Sequence, residues 1–242
     1  MFSKSMKIKS LKRILSTVII LSSITGFATY TSAETAKEQK QQESTASTNN
    51  GLPFHRRDGG TRSGCIADNR GFVALIPQTA VNSTASLNPK LYFHVPKTNH
   101  SQTIEFVLRD KNDRLIHESF IETEGKGGIM SVNIPLSTQQ KSLNSAANYR
   151  WYLSYICNKQ KRSQDLVLQG WIKHQELSQD TQKQIESFSL EEQANYYREQ
   201  GLWYDALAVA AIQYKQQSSS QKWSEFLTSI GLEELIDEPL IE

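Results

Sequence analysis

The sequence predicts an α+β fold: an antiparallel β-sandwich of about seven strands, followed by a C-terminal helical segment packed on it. Three observations support this prediction. Apolar and polar side chains alternate across residues 149–172, turn residues separate several short alternating runs before that stretch, and after Gln175 the apolar period lengthens. A period of two is typical of strands, whereas a period of about 3.6 is that of a helix.

An aromatic hairpin at residues 149–172 is the strongest strand signal. Two alternating runs flank residues 158–164, whose polar and cationic character is typical of a solvated hairpin tip. Because side chains in a strand alternate between faces, each run has one predominantly apolar face. These faces carry Tyr149, Trp151, Leu153, Tyr155 and Cys157 in the first run, and Leu166, Leu168, Gly170 and Ile172 in the second.

Residues 1–33 have the features of an export signal. Five cations lie within residues 1–13, an apolar stretch follows at 14–27, and small residues end the segment at 31–33. The alternative is an uncleaved membrane anchor, but the apolar stretch is rich in Ser and Thr and shorter than the roughly 20 residues of a spanning helix. We expect a cleaved signal, no later transmembrane segment, and a periplasmic or extracellular protein.

The rest of the chain divides into three parts. Residues 34–50 contain no apolar side chain larger than Ala. Such a tract buries too little surface to offset its ordering entropy, so we expect a disordered tether. We expect the β-sandwich at residues 51–175 and an α-helical part of the same folded unit at residues 176–242.

The charge balance argues against a nucleic-acid partner. The chain has 27 Lys and Arg against 25 Asp and Glu, and five of these cations belong to the predicted signal. The remaining chain has 22 cations against 25 anions, a net charge of −3. A nucleic-acid-binding domain would be basic, so we expect no nucleic-acid partner.

A segment rich in glycine and arginine occupies residues 51–65. Its spacing matches neither a P-loop nor a dinucleotide fingerprint. One interpretation is an anion site formed by Arg56, Arg57 and Arg62 with glycine amides. The other is an irregular lead-in strand whose arginines pair with carboxylates on the helices. We favour the second, because no strand precedes the glycines and no helix obviously follows them.

The chain contains two cysteines, Cys65 and Cys157. In an exported protein such a pair predicts one disulfide, here closing a long loop. The alternative is a pair of reduced thiols in a cytoplasmic protein, and it conflicts with the predicted signal.

Five further strands are predicted before the hairpin, because short alternating runs are bounded there by turn residues. They lie at residues 71–77, 90–96, 103–110, 114–121 and 128–135. Together with the hairpin they bring the count to about seven.

Four helices are predicted after Gln175. Asp180 can cap the first, which extends to Phe188, and Ser189 with Glu192 forms a capping box for the second. The third extends over residues 202–216 after Gly201, and the fourth ends at Gly231. Aromatic stripes on the last two helices indicate that they pack on the sandwich.

Several motifs occur in a fixed order along residues 51–240. They are Gly59-Gly-Thr-Arg62 before Cys65, Tyr149-Arg-Trp-Tyr152, Ile156-Cys157, Gly170-Trp-Ile172, Gly201-Leu-Trp-Tyr-Asp-Ala-Leu207 and Gly231-Leu232. In these motifs the chain resembles the domain of unknown function family 928, which is found mainly in exported cyanobacterial proteins and has no assigned activity. The resemblance implies an exported protein of this organisation and implies no chemistry.

The motif search favours binding over catalysis. The chain lacks a Gly-x-Ser-x-Gly elbow, a His-Glu-x-x-His motif and a phosphate loop, and its five histidines are scattered. We expect no catalytic residue, no metal site and no cofactor. The alternative is an extracytoplasmic hydrolase that acts on an envelope polymer through a carboxylate or histidine site. A deep pocket with perturbed ionisable groups would favour the enzyme, whereas an aromatic or charged patch would favour binding.

The expected function is therefore a non-catalytic binding or assembly module of the cell envelope, with an envelope protein or polymer as partner. A purely structural envelope protein would differ only in having no ligand. The candidate contact residues are Arg56, Arg57 and Arg62 in the lead-in segment, and Lys159, Lys161 and Arg162 at the hairpin tip.

Overall fold

The computed structural model describes residues 54–57, 65–66, 68–79, 81–138, 141–142, 147–216 and 221–241. All of them lie within one compact unit that spans Thr45–Glu242. The predicted signal at 1–33, the predicted tether at 34–50 and Arg62 lie outside the described residues. Within the described ranges, no helix is long and apolar enough to cross a membrane.

Most of the strands belong to two sheets. One sheet has the order β2-β10-β9-β4-β5 and the other the order β1-β3-β6, while β7 and β8 pair with each other. Neighbouring strands are antiparallel except β2 and β10, which are parallel. The bounds are β1 Val73–Ala74, β2 Val81–Thr84, β3 Lys90–Val95, β4 Thr103–Arg109, β5 Leu115–Glu122, β6 Gly128–Asn133, β7 Ser137–Thr138, β8 Lys141–Ser142, β9 Asn148–Tyr155 and β10 Leu166–His174.

The predicted hairpin is confirmed as the antiparallel pair β9 and β10 at the centre of the five-stranded sheet. Its apolar faces are buried: Trp151, Leu153 and Leu168 are fully inaccessible to solvent. Gly170 lies opposite Trp151, and a Cβ added there would be 2.5 Å from the indole ring. The large indole therefore requires glycine on the neighbouring strand.

The α+β class and the mostly antiparallel sheets are confirmed, but eight strands in two sheets do not form a clearly closed seven-strand sandwich. The predicted strand at residues 71–77 is shorter, with only β1 in its middle. Strand β2 was not predicted, because Val-Asn-Ser-Thr has little apolar character and pairs in parallel with the distant β10. Parallel pairing needs a long crossover, which local patterning does not reveal.

The four predicted helices are present, at α1 Gln179–Glu186, α2 Leu190–Glu199, α3 Trp203–Gln216 and α4 Gln221–Ser229. The capping box of Ser189 and Glu192 is confirmed, and Gly201 and Gly231 adopt the left-handed conformation with φ of 71° and 65°. The predicted cap of α1 is wrong: Ser178, rather than Asp180, accepts the amide of Thr181.

Helices α3 and α4 share one buried core with both sheets. The indole of Trp203 donates a hydrogen bond to the carbonyl of Leu75 at 2.9 Å, and its ring meets Phe226 edge-on. Trp223 of α4 packs against Tyr92 of β3. The aromatic stripes of the last two helices are thus buried as predicted.

The predicted disulfide between Cys65 and Cys157 is confirmed. The two residues are 92 positions apart, and their Cα atoms are 5.6 Å apart. The bond ties the segment before β1 to the residue just beyond β9. It therefore constrains the base of the hairpin tip.

Candidate functional site

The described part of the lead-in segment forms two isolated β-bridges. His55 pairs with Gln169 of β10 and Arg57 with Val73 of β1, so this short segment bridges the two sheets. Arg57 also forms an ion pair with Glu234, in the short 3-10 turn after α4. The neighbouring carboxylate partly offsets the charge of Arg57, so Arg57 attracts an external anion less strongly than an unpaired cation would.

Arg56 is only 7% exposed, and its guanidinium donates to the carbonyls of Ile76 and Ile230 at 3.1 and 2.7 Å. Burial lowers the pKa of Arg56, and the neighbouring Arg57 adds to this effect. Arg56 therefore connects the lead-in segment to the residue after α4, and we do not include it in a contact surface.

The cations of the hairpin tip have different environments. Lys159 and Lys161 are exposed, as predicted for a solvated tip. Arg162 lies in the 3-10 turn Arg162–Gln164 and forms ion pairs with Asp165 and with Glu105 of β4. These carboxylates raise the pKa of Arg162 above its ordinary value through their hydrogen bonds. Arg162 thus fastens the tip to the sheet, and the two lysines remain available for contacts.

A groove lies beside the tip, where β4 begins and β5 ends. It has a volume of about 350 Å³, and Phe120, 59% exposed, forms one apolar wall. Glu122 accepts hydrogen bonds from the hydroxyls of Thr103 and Ser101, which lower its pKa. We call this the tip groove; it is lined by Thr103, Phe120, Glu122, Ile156, Lys159 and Arg162.

The face of the five-stranded sheet opposite the core carries aromatic and cationic side chains. The strand register places Val107, Tyr152 and Gln169 in one row across β4, β9 and β10. The adjacent row contains Arg109, Arg150 and Trp171 in the same strand order. These side chains are half-buried rather than enclosed. We call the surface formed by these six residues the outer sheet face.

Arg150 organises the outer sheet face. Its guanidinium lies 4.8 Å from the centre of the Tyr152 ring and 5.5 Å from that of the Trp171 ring. It also donates a hydrogen bond to the side-chain oxygen of Gln169. A cation over aromatic rings is attracted by the ring quadrupoles. Arg150, Tyr152 and Trp171 are therefore held against one another in the unbound protein.

A second candidate is a cavity of about 490 Å³ among α1, α2, α3 and the loop after β2. Glu186, Tyr197 and Asp205 line it. Burial raises the pKa of Asp205, and burial together with the charge of Asp205 raises the pKa of Tyr197. A cavity with shifted ionisable groups is the feature that we expect of an enzyme.

The hydrogen bonds of Asp205 indicate a structural role instead. One carboxylate oxygen accepts the amide of Ala85 at 2.9 Å, and the other accepts the amide of Ser86 at 3.2 Å. Both oxygens therefore fasten the first turn of α3 to the loop after β2. Among the described residues, no group of three or more His, Cys, Asp or Glu side chains could hold a metal ion.

Comparison with known families agrees with the motifs of the hairpin and helices. The family model described as Domain of Unknown Function (DUF928) matches residues 57–240. The chain belongs to the DUF928 family. The match includes both sheets and the four helices of this DUF928 chain. No curated protein matches it.

The tip lysines of this DUF928 domain were predicted from the sequence as contact residues, whereas the outer sheet face was not. The alternation in the hairpin already separates Arg150 and Tyr152 from the apolar face of β9, and Gln169 and Trp171 from that of β10. The sequence does not reveal the strand register, and the register decides which of these residues are neighbours on adjacent strands.

Proposed function

We propose that the protein is a non-catalytic binding or assembly module of the cell envelope that contacts its partner through the outer sheet face. The observation that carries this proposal is the position of Arg150 over the rings of Tyr152 and Trp171. Trp, Tyr and Arg are the residue types that contribute most binding energy at protein interfaces. Because these side chains are already held in place, they would lose less conformational entropy when a partner binds.

The tip lysines extend this contact surface. Lys159 and Lys161 are exposed, and Lys159 lines the tip groove beside Phe120. Exposed charges steer association and are screened over about 8 Å at physiological ionic strength. We assign Lys159 and Lys161 to the rate and salt dependence of binding, and the aromatic side chains to its free energy.

An extracytoplasmic location is part of the proposal. The disulfide between Cys65 and Cys157 supports it, because disulfides persist in oxidising compartments such as the periplasm and the extracellular space. The basic and apolar pattern of residues 1–33 supports it independently.

The test is capture of a defined cell-envelope fraction by the purified protein, immobilised and washed under fixed salt. Trp171→Ala and Arg150→Ala should each weaken the apparent affinity about thirtyfold, which corresponds to the roughly 2 kcal/mol lost when an interface hot spot is truncated. Tyr196→Ala is the matched control, because Tyr196 is also a half-buried aromatic residue but lies on α2. Lys159→Ser with Lys161→Ser should weaken capture at low salt only.

Two results would overturn the proposal. The first is equal capture by the wild-type protein, the outer-sheet-face variants and the Tyr196→Ala control. The second is hydrolysis of an envelope polymer by the purified protein that is lost on changing Glu186, since this would identify the helix-lined cavity as an active site.

A further inference from the structure

The sheet edges differ in how the chain covers them. In the three-stranded sheet, β1 is flanked by the lead-in segment, since the amide of Ala74 donates to the carbonyl of Arg56 at 2.8 Å. On its other edge, Ile129 of β6 exchanges backbone hydrogen bonds with Pro239 and Ile241 of the C-terminal tail. Both edges are therefore closed by segments from the ends of the folded unit.

The five-stranded sheet has one protected and one open edge. At one end, β2 has four residues and packs against α3, and a short, covered strand is a common protection of an edge. At the other end lies β5, which has eight residues. Within the described part of the chain, the backbone of β5 pairs with β4 alone.

Alternate residues of β5 direct their backbone groups away from the sheet. The amide of Thr123 donates to the carbonyl of Gln102, so that pair is hydrogen-bonded. The carbonyl of Thr103 instead accepts the amide of Ile156, next to β9. Hydrogen-bonded and non-bonded pairs alternate in an antiparallel ladder. The amides and carbonyls of Glu122, Phe120 and Glu118 consequently face outward.

The side chains of β5 add an apolar contact. Phe120 and Leu115 are 59% and 54% exposed, the highest fractions for large apolar side chains in the described residues. Phe120 also forms the wall of the tip groove. A long edge strand with outward amides, an exposed phenyl ring and an adjacent groove combines the features of strand-addition sites.

The charges on β5 disfavour a second copy of the same chain. Glu118, Phe120 and Glu122 project from one face, because Glu118 pairs with Val107 and Phe120 with Glu105 of that face. Two copies of β5 could pair antiparallel about a two-fold axis at Glu118, Ser119 or Phe120. An axis at Glu118 or Phe120 places glutamates directly opposite each other, and an axis at Ser119 places them diagonally. Like charges in these positions are destabilising. A basic partner strand instead forms opposite-charge pairs.

We infer that the open edge of β5 docks an extended segment of a partner protein that carries a basic, an apolar and a basic side chain at every second residue, and therefore on one face. The partner's backbone would pair with Glu118, Phe120 and Glu122, its basic side chains would lie beside the two glutamates, and an apolar side chain would cover Phe120. This inference rests on the proposed binding function and adds a second contact at the far side of the sheet from Trp171.

The experiment uses the purified protein and synthetic eight-residue peptides. The probe, called the Lys–Val peptide, is Thr-Lys-Thr-Val-Thr-Lys-Thr-Val, so that Lys, Val and Lys share one face. One control, the Glu–Val peptide, has Glu in place of both Lys, and another carries N-methyl groups on alternate amides of the Lys–Val peptide, those of Lys and Val. Fluorescence anisotropy should show the probe binding at least tenfold more tightly than either control. The same probe should slow hydrogen exchange at the amides of Glu118, Phe120 and Glu122.

Two variants separate backbone pairing from charge. Glu118→Pro removes one outward amide without breaking the β4 ladder and should weaken binding about tenfold, with circular dichroism confirming the fold. Glu118→Lys keeps the amide and should shift the preference toward the Glu–Val peptide. Trp171→Ala should bind the probe unchanged, so failure of the docking site is distinguishable from failure of the outer sheet face.

Several results would overturn the inference. These are equal affinity for the probe and its N-methylated form, no binding at millimolar concentration, or β5 amides whose exchange the probe does not alter. Sedimentation that shows a dimer of the protein, abolished by Glu118→Pro, would assign the edge to a second copy instead.

Discussion

The indole Nε1 of Trp151 donates a hydrogen bond to the hydroxyl of Tyr204 at 2.9 Å, and both side chains are buried. Trp151 lies at the centre of β9, and Tyr204 lies in the first turn of α3. Burial strongly raises the pKa of Tyr204, so its hydroxyl stays neutral at physiological pH. This bond joins the five-stranded sheet to the helices inside the core.

Replacing Tyr204 with Phe should destabilise the protein. The change leaves the buried indole N–H of Trp151 without its acceptor, which costs about 1–3 kcal/mol. Urea unfolding monitored by tryptophan fluorescence measures the loss. Tyr196→Phe, on the half-buried side of α2, should change stability by less than about 0.5 kcal/mol. Equal effects of the two variants would show that the buried hydrogen bond contributes nothing net.

A protein that ends at Gln175 should be unstable or aggregate. Removing the helices exposes the core surface that Trp203, Trp223 and Phe226 cover, and each large buried side chain contributes roughly 1.5–3 kcal/mol. Size-exclusion chromatography and thermal unfolding test this expectation. A truncated protein that unfolds at the full-length midpoint would show that the helices form an independent module.

Cys157→Ala should lower the free energy of unfolding by several kcal/mol. The disulfide joins residues 92 positions apart, and the chain-entropy model assigns roughly 4–5 kcal/mol to a loop of that order. The double change of Cys65 and Cys157 to Ala should cost no more than either single change, because all three remove the same bond. Labelling of both cysteines by a thiol reagent in the unfolded, unreduced protein would contradict the bond itself.

Stability should fall as the pH drops below the ordinary pKa of histidine. His94 is fully buried, and burial lowers its pKa below the ordinary value of 6.5. In the window below 6.5 the unfolded chain takes up a proton that the folded chain does not. The stabilisation is therefore complete above 6.5 and is lost as the pH falls toward the folded pKa, by at most about 1.4 kcal/mol per pH unit.

Urea unfolding at pH 7.5, 6.5 and 5.5 measures this dependence, and His94→Gln should flatten it. The window lies above the range in which ordinary carboxylates titrate. A slope of opposite sign would show that Glu238 dominates, since its carboxylate lies 3.6 Å from Nε2 of His94 and favours the protonated ring.

Gly170→Ala should be strongly destabilising, although alanine is a small residue. The new Cβ would lie 2.5 Å from the Trp151 ring, which is fully buried and cannot move without disturbing the core. Overpacking of this kind typically costs about 1–3 kcal/mol. Combining Gly170→Ala with Trp151→Phe should recover part of the loss, and failure to do so would place the strain elsewhere.

Features that depend on neighbouring residues were predictable from the sequence. The alternation of β9 and β10, the capping box at Ser189 and the left-handed stop at Gly201 follow from periodicities and dihedral preferences of a few residues. The disulfide was predictable for a different reason: the chain has two cysteines, so one pairing is possible.

Tertiary structure alone decided which residues meet across long separations. Arg56 looks like a surface cation in the sequence, yet it is buried against the carbonyl of Ile230, 174 residues away. The polar strand β2 is held by parallel pairing with β10, and Arg150 reaches Trp171 through the strand register. The open edge of β5 is likewise a property of the whole sheet, because the strand order decides which strand lies at the end. Local patterning determines which structure each segment adopts, whereas contacts distant in sequence determine which surface remains available for binding.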